Sequence, residues 1–339
     1  MTKERFSYVD LSAGIMILWM VLGHTCMAAG FVGTPARPSG ITDFVPNFLF
    51  FFMPWFFYKS GQFFSKKGFK EELKKDWNKL IRQFLIWSAI GYISYLISLG
   101  VFNGLTFRNI VYLPIRHLVL GGSIDINHPL WFLLTLFGVR QIANFILPLE
   151  NDKFYWLKCL SIVLVAFSVG FGLYCLDCRF TPIWAANGST GLAYFTLGYC
   201  TRKHETKWWL LIPCILSYIV CCFLNFPNID MHLNQCGSVS RYLMSLPASC
   251  AGIITFNLAC RYISKYLHYL SLPFEYIGKY AMIIYVSHGV IYGSMSWIID
   301  SLNYNISYTC ALWLILGSYI IILPLLCYLS TKITCQEIK

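Results

Sequence analysis

Long stretches without a charged side chain recur along the whole chain. Six of them reach about the 20 residues that a helix needs to cross roughly 30 Å of hydrocarbon. These six cover residues 11–36, 83–107, 180–201, 208–229, 281–299 and 301–331, and four shorter or interrupted stretches lie at 44–64, 129–148, 154–176 and 242–260. Because the stretches are continuously apolar rather than alternating, they favour helices over an outer-membrane barrel. We predict an all-α polytopic membrane protein with about ten transmembrane helices.

The composition narrows the class of protein further. The chain has 339 residues, of which 57% are hydrophobic and only 12% charged, whereas soluble domains carry about 25% charged residues. The net charge is +11, but nucleic-acid binders gather their basic residues on one face, and here these residues form short clusters between apolar stretches. We therefore exclude a nucleic-acid partner, a disordered chain and a disulfide-stapled module. We expect residues 1–339 to form one transmembrane domain in the lipid bilayer.

The distribution of cations predicts the orientation. Cytoplasmic loops of membrane proteins carry an excess of Lys and Arg. If the N-terminus is cytoplasmic, ten spans place 20 of the 26 cations inside and five outside, with Lys59 inside a span. Both termini are then predicted to be cytoplasmic. The most basic inner segment, residues 66–82, is typical of a short amphipathic helix on the membrane surface.

Three of the ionisable side chains within predicted spans stand out, namely His24, Lys59 and His288, and His128 lies at the outer edge of another span. An ionisable group in hydrocarbon is costly unless it is paired or hydrated, so each is a functional candidate. Structural alternatives stay open, because a histidine can bond to a neighbouring helix and Lys59 can snorkel to the interface. Asp10 lies about 21 Å from His24 along a helix, so we expect the partner that orients His24 to come from another span.

The 14 cysteines are scattered, and most of them fall within predicted spans. Cys175, Cys178 and Cys236 fall in predicted outer loops. A metal site needs more ligands at suitable spacing, so we expect no metal. A disulfide among these three cysteines is left open.

Four segments in order along the chain resemble the motifs of the acyltransferase-3 family of membrane O-acyltransferases, which includes fucose O-acetylase-like and polysaccharide O-acetyltransferases. They are Asp10 to Gly23-His24 with Gly14 between them, Met53-Pro54 to Ser60-Gly61, Pro129-Leu130-Trp131-Phe132-Leu133, and Ile277-Gly278-Lys279 to Tyr285 and His288. These segments span residues 10 to 288, so the resemblance covers nearly the whole chain.

The resemblance implies transfer of an acyl group, usually acetyl from cytoplasmic acetyl-CoA, to a hydroxyl of a sugar or glycan outside the membrane. It implicates His24 in activity, and a neutral imidazole suits a general base. His288 is expected to line the same cavity, while Asp10, Trp131 and Tyr285 are weaker candidates. The implied location is the bacterial cytoplasmic (inner) membrane, and a homo-oligomer is left open.

Two positions depart from the family pattern; the first concerns binding of the donor, and the second disfavours a two-histidine mechanism at the mouth of the site. The family usually has Lys or Arg eleven residues before the histidine, where this chain has Ala13, and many members have His where this chain has Phe52. We hypothesise that Lys59 replaces the missing cation and that Arg82 meets the CoA phosphates from the cytoplasmic rim. Two alternatives to the enzyme are a transporter or flippase of a glycan or amphipathic solute, and a family member that has lost catalysis.

Overall fold

The computed structural model describes residues 7–32, 49–102, 104–175, 182–203, 211–223, 239–301 and 306–337. The helices, in chain order, are α1 (Ser7–Val32), α2 (Phe52–Gln62), α3 (Phe69–Asp76), α4 (Arg82–Phe102), α5 (Leu113–Gly121), α6 (Trp131–Ile146), α7 (Tyr155–Cys175), α8 (Ile183–Thr201), α9 (Leu211–Phe223), α10 (Val239–Tyr266), α11 (His268–Lys279), α12 (Ala281–Ser301) and α13 (Tyr308–Glu337). A π-helical turn at Trp77–Ile81 joins α3 to α4, another at Arg108–Tyr112 precedes α5, and a 3₁₀ segment at Asp125–Leu130 leads into α6.

Seven helical stretches within the described residues are long and apolar enough to cross a membrane. They begin at Ser7, Phe69, Arg108, Tyr155, Tyr242, Ala281 and Tyr308. Helices α2 and α9, which coincide with the predicted spans 44–64 and 208–229, have 11 and 13 residues. The all-α polytopic membrane fold is confirmed, whereas the count of ten spans and the orientation stay predictions. Of the cysteines predicted in outer loops, Cys178 and Cys236 lie outside the described residues.

Apolar side chains are buried in the interior of the bundle, and many others are exposed on its outer surface. A single large cluster brings together buried residues of α1, α2, α6, α8 and α12, including the fully buried Phe57 and Tyr194. On α13, by contrast, Ile320 and Ile321 are each 76% exposed. Large apolar side chains left uncovered in this way mark a surface that contacts a membrane or a partner. The outer face of α13 is therefore suited to lipid.

Helices α1 and α11 approach until their backbones touch. A Cβ atom built on Gly14 would lie 1.9 Å from the carbonyl oxygen of Phe274, and one built on Gly278 would lie 1.9 Å from the carbonyl oxygen of Asp10. Real Cβ atoms do not approach oxygen this closely, so only glycine fits at these two positions. Small residues at membrane helix interfaces permit such close packing.

A second crossing, between α2 and α8, repeats this arrangement. A Cβ atom on Gly61 would lie 1.9 Å from the Phe195 carbonyl oxygen, and one on Gly198 would lie 1.9 Å from the Tyr58 carbonyl oxygen. Of the four glycines at the two crossings, three lie in the sequence segments that resemble the acyltransferase-3 motifs. Those segments therefore encode helix packing as well as chemistry.

The basic segment 66–82 forms a helix as predicted, but two of its three acidic side chains do not stay on a surface. Glu72 and Asp76 are fully buried and both bind Arg140 of α6. The Arg140 Nε donates to Asp76 Oδ1 at 2.8 Å, and its Nη2 donates to Glu72. The prediction of a surface helix is wrong in this respect, because a buried guanidinium on α6 holds α3 against the bundle.

An exposed ion-pair cluster closes the turn between α6 and α7. Glu150 pairs with Lys203, and the Nε of Arg202 donates to the same carboxylate at 2.8 Å. The pKa of the Glu150 carboxyl lies below its ordinary value, because the carboxylate accepts hydrogen bonds from Lys203, which has the larger effect, and from Arg202. This cluster ties the start of α7 to the end of α8.

Candidate active site

Helices α1 and α12 bring the two predicted histidines together. The ring centroids of His24 and His288 lie 5.1 Å apart, although the residues are 264 positions apart in sequence. Tyr292, one turn after His288 on α12, lies nearly parallel to the His24 ring with a centroid distance of 5.8 Å. His24 is half-buried, whereas His288 is fully buried. The two side chains therefore share one site, while the catalytic role predicted for His288 stays a prediction.

Each histidine is held by a carbonyl oxygen of its own helix. The His24 Nδ1 lies 2.9 Å from the Met20 carbonyl oxygen, and the His288 Nδ1 lies 2.6 Å from the Tyr285 carbonyl oxygen. A carbonyl oxygen can only accept, so both rings donate through Nδ1, and the neutral form of each ring then carries its lone pair on Nε2. We expected the partner that orients His24 to come from another span, and this was wrong. The ring of a helical histidine can reach the carbonyl oxygen one turn earlier on its own helix, whereas Asp10 lies too far along the helix to reach the ring.

Three hydrogen bonds to two neighbouring elements anchor the stretch of α12 that carries His288. The Asn127 Nδ2, in the 3₁₀ segment, donates to the Val286 carbonyl oxygen at 3.0 Å. The Tyr319 hydroxyl, on α13, donates to the His288 carbonyl oxygen at 3.1 Å. The Tyr285 hydroxyl in turn donates to the Pro129 carbonyl oxygen. Because these bonds hold the α12 backbone from two sides, they fix the position from which the His288 ring projects.

A cavity of about 930 Å³ opens beside this pair of histidines. His24 and Tyr292 line it, but His288 does not, so His24 stands between the cavity and the buried imidazole. The cavity lies toward the C-terminal ends of α1 and α12, because Val32 and Asp300 also line it. Under the predicted orientation this is the outer face of the membrane.

The remaining cavity wall combines aromatic, basic and acidic side chains. Trp131 and Trp297 contribute aromatic rings, and α5 contributes Arg116 and His117. His128, which the sequence placed at the outer edge of a span, is exposed and also lines the cavity. The volume and the mixture of rings with a few polar groups are typical of a site for an organic ligand.

Lys59 lies far from the histidines, at the opposite end of α1. Its Nζ is 5.0 Å from the ring centroid of Tyr8 and 5.8 Å from that of Trp55. Tyr8 is 16 residues before His24, which is about 24 Å along a helix. Lys59 is only 7% exposed, so it does not snorkel to water. Arg82 begins α4 as an exposed residue and is not among the side chains that contact Lys59.

Sequence reasoning missed two residues of the site, Tyr292 and Asn127. The spacing of four residues between His288 and Tyr292 places both on one face of a helix, so periodicity would have found the tyrosine. Asn127 offers no such signal, because its backbone is non-helical within the 3₁₀ segment. The weaker candidates Trp131 and Tyr285 lie in the cavity wall and in the α12 anchor, respectively.

Proton transfer is the chemistry that this arrangement allows. The Nε2 lone pair of His24 can accept a proton from a hydroxyl in the cavity, which is the task of a general base. The Nε2 of His288 is buried and has no hydrogen-bond partner among the described residues. Two imidazoles that both offer a lone pair, one at the cavity and one behind it, suit the removal of a proton from an alcohol.

Comparison with known proteins identifies the family. A family model described as an acyltransferase domain matches residues 6–331, and this match includes both histidines and Lys59. No curated protein and no solved structure matches the chain. Since the family model covers nearly the entire sequence and the fold is a bundle of apolar helices, this chain belongs to the acyltransferase-3 family and is a membrane acyltransferase.

Proposed function

We propose that the protein transfers an acetyl group from acetyl-CoA to a hydroxyl of a sugar in a cell-surface glycan or its precursor. His24 acts as the general base in this reaction, and His288 assists as a second catalytic histidine on the side of the His24 ring that faces away from the cavity. The protein works in the bacterial cytoplasmic membrane, where the donor comes from the cytoplasm and the acceptor from outside. This proposal includes acetyl specificity, a glycan acceptor and a fucose O-acetylase-like or polysaccharide O-acetyltransferase subtype.

The observation that carries the proposal is the position of His24. Its ring lines a cavity of about 930 Å³ and is tied at Nδ1 to the Met20 carbonyl oxygen. Since Nδ1 donates, the base is Nε2, and the ring cannot turn without breaking that hydrogen bond. A base held in one orientation at a cavity wall suits an acceptor that enters from the cavity.

The reaction balances with His24 as the only proton carrier. The acceptor oxygen forms a bond to the acyl carbon while its proton passes to His24 Nε2. The bond between the acyl carbon and sulfur breaks, and the leaving thiolate of CoA takes the proton from the imidazolium. The Met20 carbonyl oxygen accepts from Nδ1 throughout, so it stabilises the charged ring in the intermediate stage.

The chemistry of the cavity wall supports a sugar acceptor. Trp131, Tyr292 and Trp297 offer apolar ring faces, and Arg116 and Asp300 offer a donor and an acceptor for hydroxyl groups. On the donor side, Lys59 and Arg82 are the cations proposed to meet the phosphates of CoA, since Ala13 supplies none. The two substrates then approach His24 from opposite ends of α1.

The test compares His24→Ala with His128→Ala, a second histidine of the same cavity. Purified protein in detergent receives acetyl-CoA labelled in the acetyl group, first with water as the only acceptor and then with bacterial surface glycans. General bases contribute about 10²–10⁴-fold to the rate, so we expect His24→Ala to lose at least about 100-fold while His128→Ala retains most activity. Equal activity of both variants and the parent would reject His24 as the base. Glycan movement across proteoliposomes without loss of the thioester would instead favour the transporter.

A further inference from the structure

Two buried or half-buried cations share one aromatic ring at the far end of α1. The Lys59 Nζ lies 5.0 Å from the centroid of Tyr8, and the Arg261 Cζ lies 4.9 Å from the same centroid. Lys59 comes from α2 and Arg261 from α10, so three helices meet at this ring. Trp55, 5.8 Å from the Lys59 Nζ, closes the side of the cluster within α2.

Within the described residues neither cation has a carboxylate partner. Lys59 and Arg261 form cation–π contacts but no ion pair with any described Asp or Glu. Glu275, an acidic side chain near this end of α1, accepts hydrogen bonds from Ser7 and Ser271 instead. Arg140, the other strongly buried cation, has two carboxylates. Arg140 thus has the counter-ions that Lys59 and Arg261 lack among the described residues.

Burial of two like charges on one ring is unfavourable without an anion. Lys59 is 7% exposed, and an ammonium group in such an environment loses most of its hydration. A cation–π contact returns about 0.5–2 kcal/mol, which is less than the several kcal/mol that desolvation of an ion costs. Arg261 and Tyr8 are half-buried, so the cluster remains open on their side.

We propose that Lys59, Arg261 and Tyr8 form a binding site for a phosphate-bearing anion. A guanidinium donates two parallel hydrogen bonds to phosphate, and an ammonium adds a compact positive charge. Tyr8 holds both cations at one distance and contributes the same ring to each. This inference rests on the proposed function where the anion is the CoA donor, while the phosphate of a lipid headgroup satisfies the same cations without it.

The test measures thermal unfolding of the whole protein through its tryptophan fluorescence. The probes are inorganic pyrophosphate, acetyl-CoA, and nanodiscs of phosphatidylcholine with or without phosphatidic acid. The variants are Lys59→Met and Arg261→Gln. The matched control is Lys265→Gln, which removes an exposed cation of the same helix that lies 5.0 Å from the Tyr266 ring.

We expect at least one phosphate probe to raise the melting temperature of the parent and of Lys265→Gln. Both Lys59→Met and Arg261→Gln should bind that probe at least about 10-fold more weakly, because each removes a charge-assisted contact. Without any probe, Lys59→Met should melt at or above the temperature of the parent, since it removes an unpaired buried charge. A purely structural cation–π contact predicts the opposite sign.

The source of the phosphate follows from which probe acts. Stabilisation by pyrophosphate and acetyl-CoA supports the site and a soluble ligand, whereas stabilisation by phosphatidic acid alone supports the site with a lipid ligand and leaves the proposed donor without these cations. The proposal is overturned if no probe stabilises the parent, or if both variants respond as the parent does. It is also overturned if the probe-free Lys59→Met protein is destabilised and still binds the probe.

Discussion

The contact between α1 and α11 makes a sharp prediction about Gly14 and Gly278. A methyl group on Gly14 would lie 1.9 Å from the Phe274 carbonyl oxygen, while carbon and oxygen normally approach to about 3.3 Å. The helices must therefore separate by about 1.4 Å, because the atom in the way is backbone and no side-chain rotation can relieve the overlap.

The expected size of the effect follows from two opposing contributions. Overpacking of a tight interface costs about 1–3 kcal/mol, and a clash with backbone belongs at the upper end. Replacement of glycine by alanine within a helix returns about 1 kcal/mol. We therefore expect Gly14→Ala to lower the free energy of unfolding by about 2 kcal/mol. The matched control is Gly23→Ala on the same helix, where a Cβ would meet nothing within 4 Å and the expected change is zero or a gain.

The assay is thermal unfolding in one detergent, followed with a thiol-reactive dye, because Cys26, Cys159 and Cys260 are buried and free in the folded protein. The double variant Gly14→Ala/Gly278→Ala should lose less than the sum of the two single losses, since one separation of the helices accommodates both methyl groups. If Gly14→Ala melted at or above the temperature of Gly23→Ala, or if the two losses were additive, the close backbone contact would be refuted.

Three further predictions concern other parts of the fold. Arg140→Met removes the cation that two buried carboxylates share, although Glu72 keeps Lys75 and Asp76 keeps the Gln141 amide. It should therefore lower the free energy of unfolding by about 3 kcal/mol, the lower end for a broken buried pair, measured by the same thermal assay; a loss no larger than that of an exposed Arg82→Met would contradict it. Tyr319→Phe removes the hydrogen bond to the backbone of His288 and should cost about 1 kcal/mol and lower kcat with little change in KM, which steady-state kinetics will measure. Because the pKa of Glu150 is lowered in the folded state, its stabilising contribution is present above its unfolded pKa and falls away as the pH drops through the folded value. The melting temperature of the parent should thus converge on that of Glu150→Gln between about pH 5 and pH 3, and a constant difference would contradict this.

The sequence predicted the fold class because length and charge content dominate in a membrane. Uncharged stretches of about 20 residues require helices in hydrocarbon, and this inference needs no knowledge of how the helices pack. It also selected His24 and His288, since an ionisable group inside a span stands out. The contact between these two residues did not follow, because it depends on which helices become neighbours.

The buried ionic cluster shows where a local pattern misleads. Glu72 and Asp76 lie in a segment crowded with lysines, and such a segment resembles a solvated surface. Their burial depends on Arg140, which lies more than 60 residues later and gives no sign of its partners. The cation pair of Lys59 and Arg261 was equally hidden, since α2 and α10 are separated by about half the chain.

The glycine contact between α1 and α11 acts as a pivot that positions the candidate active site. His24 follows Gly14 by ten residues on α1, so its imidazole stands at the tip of an arm about 15 Å long, whereas His288 lies on α12, beyond the break that ends α11 at Lys279. A change of about 5° at this pivot would move the His24 ring by about 1.3 Å, and a misplacement of about 1 Å can cost 100-fold in rate. The distance between the two rings thus depends on backbone atoms that never touch a substrate. A single methyl group at this pivot would change that distance.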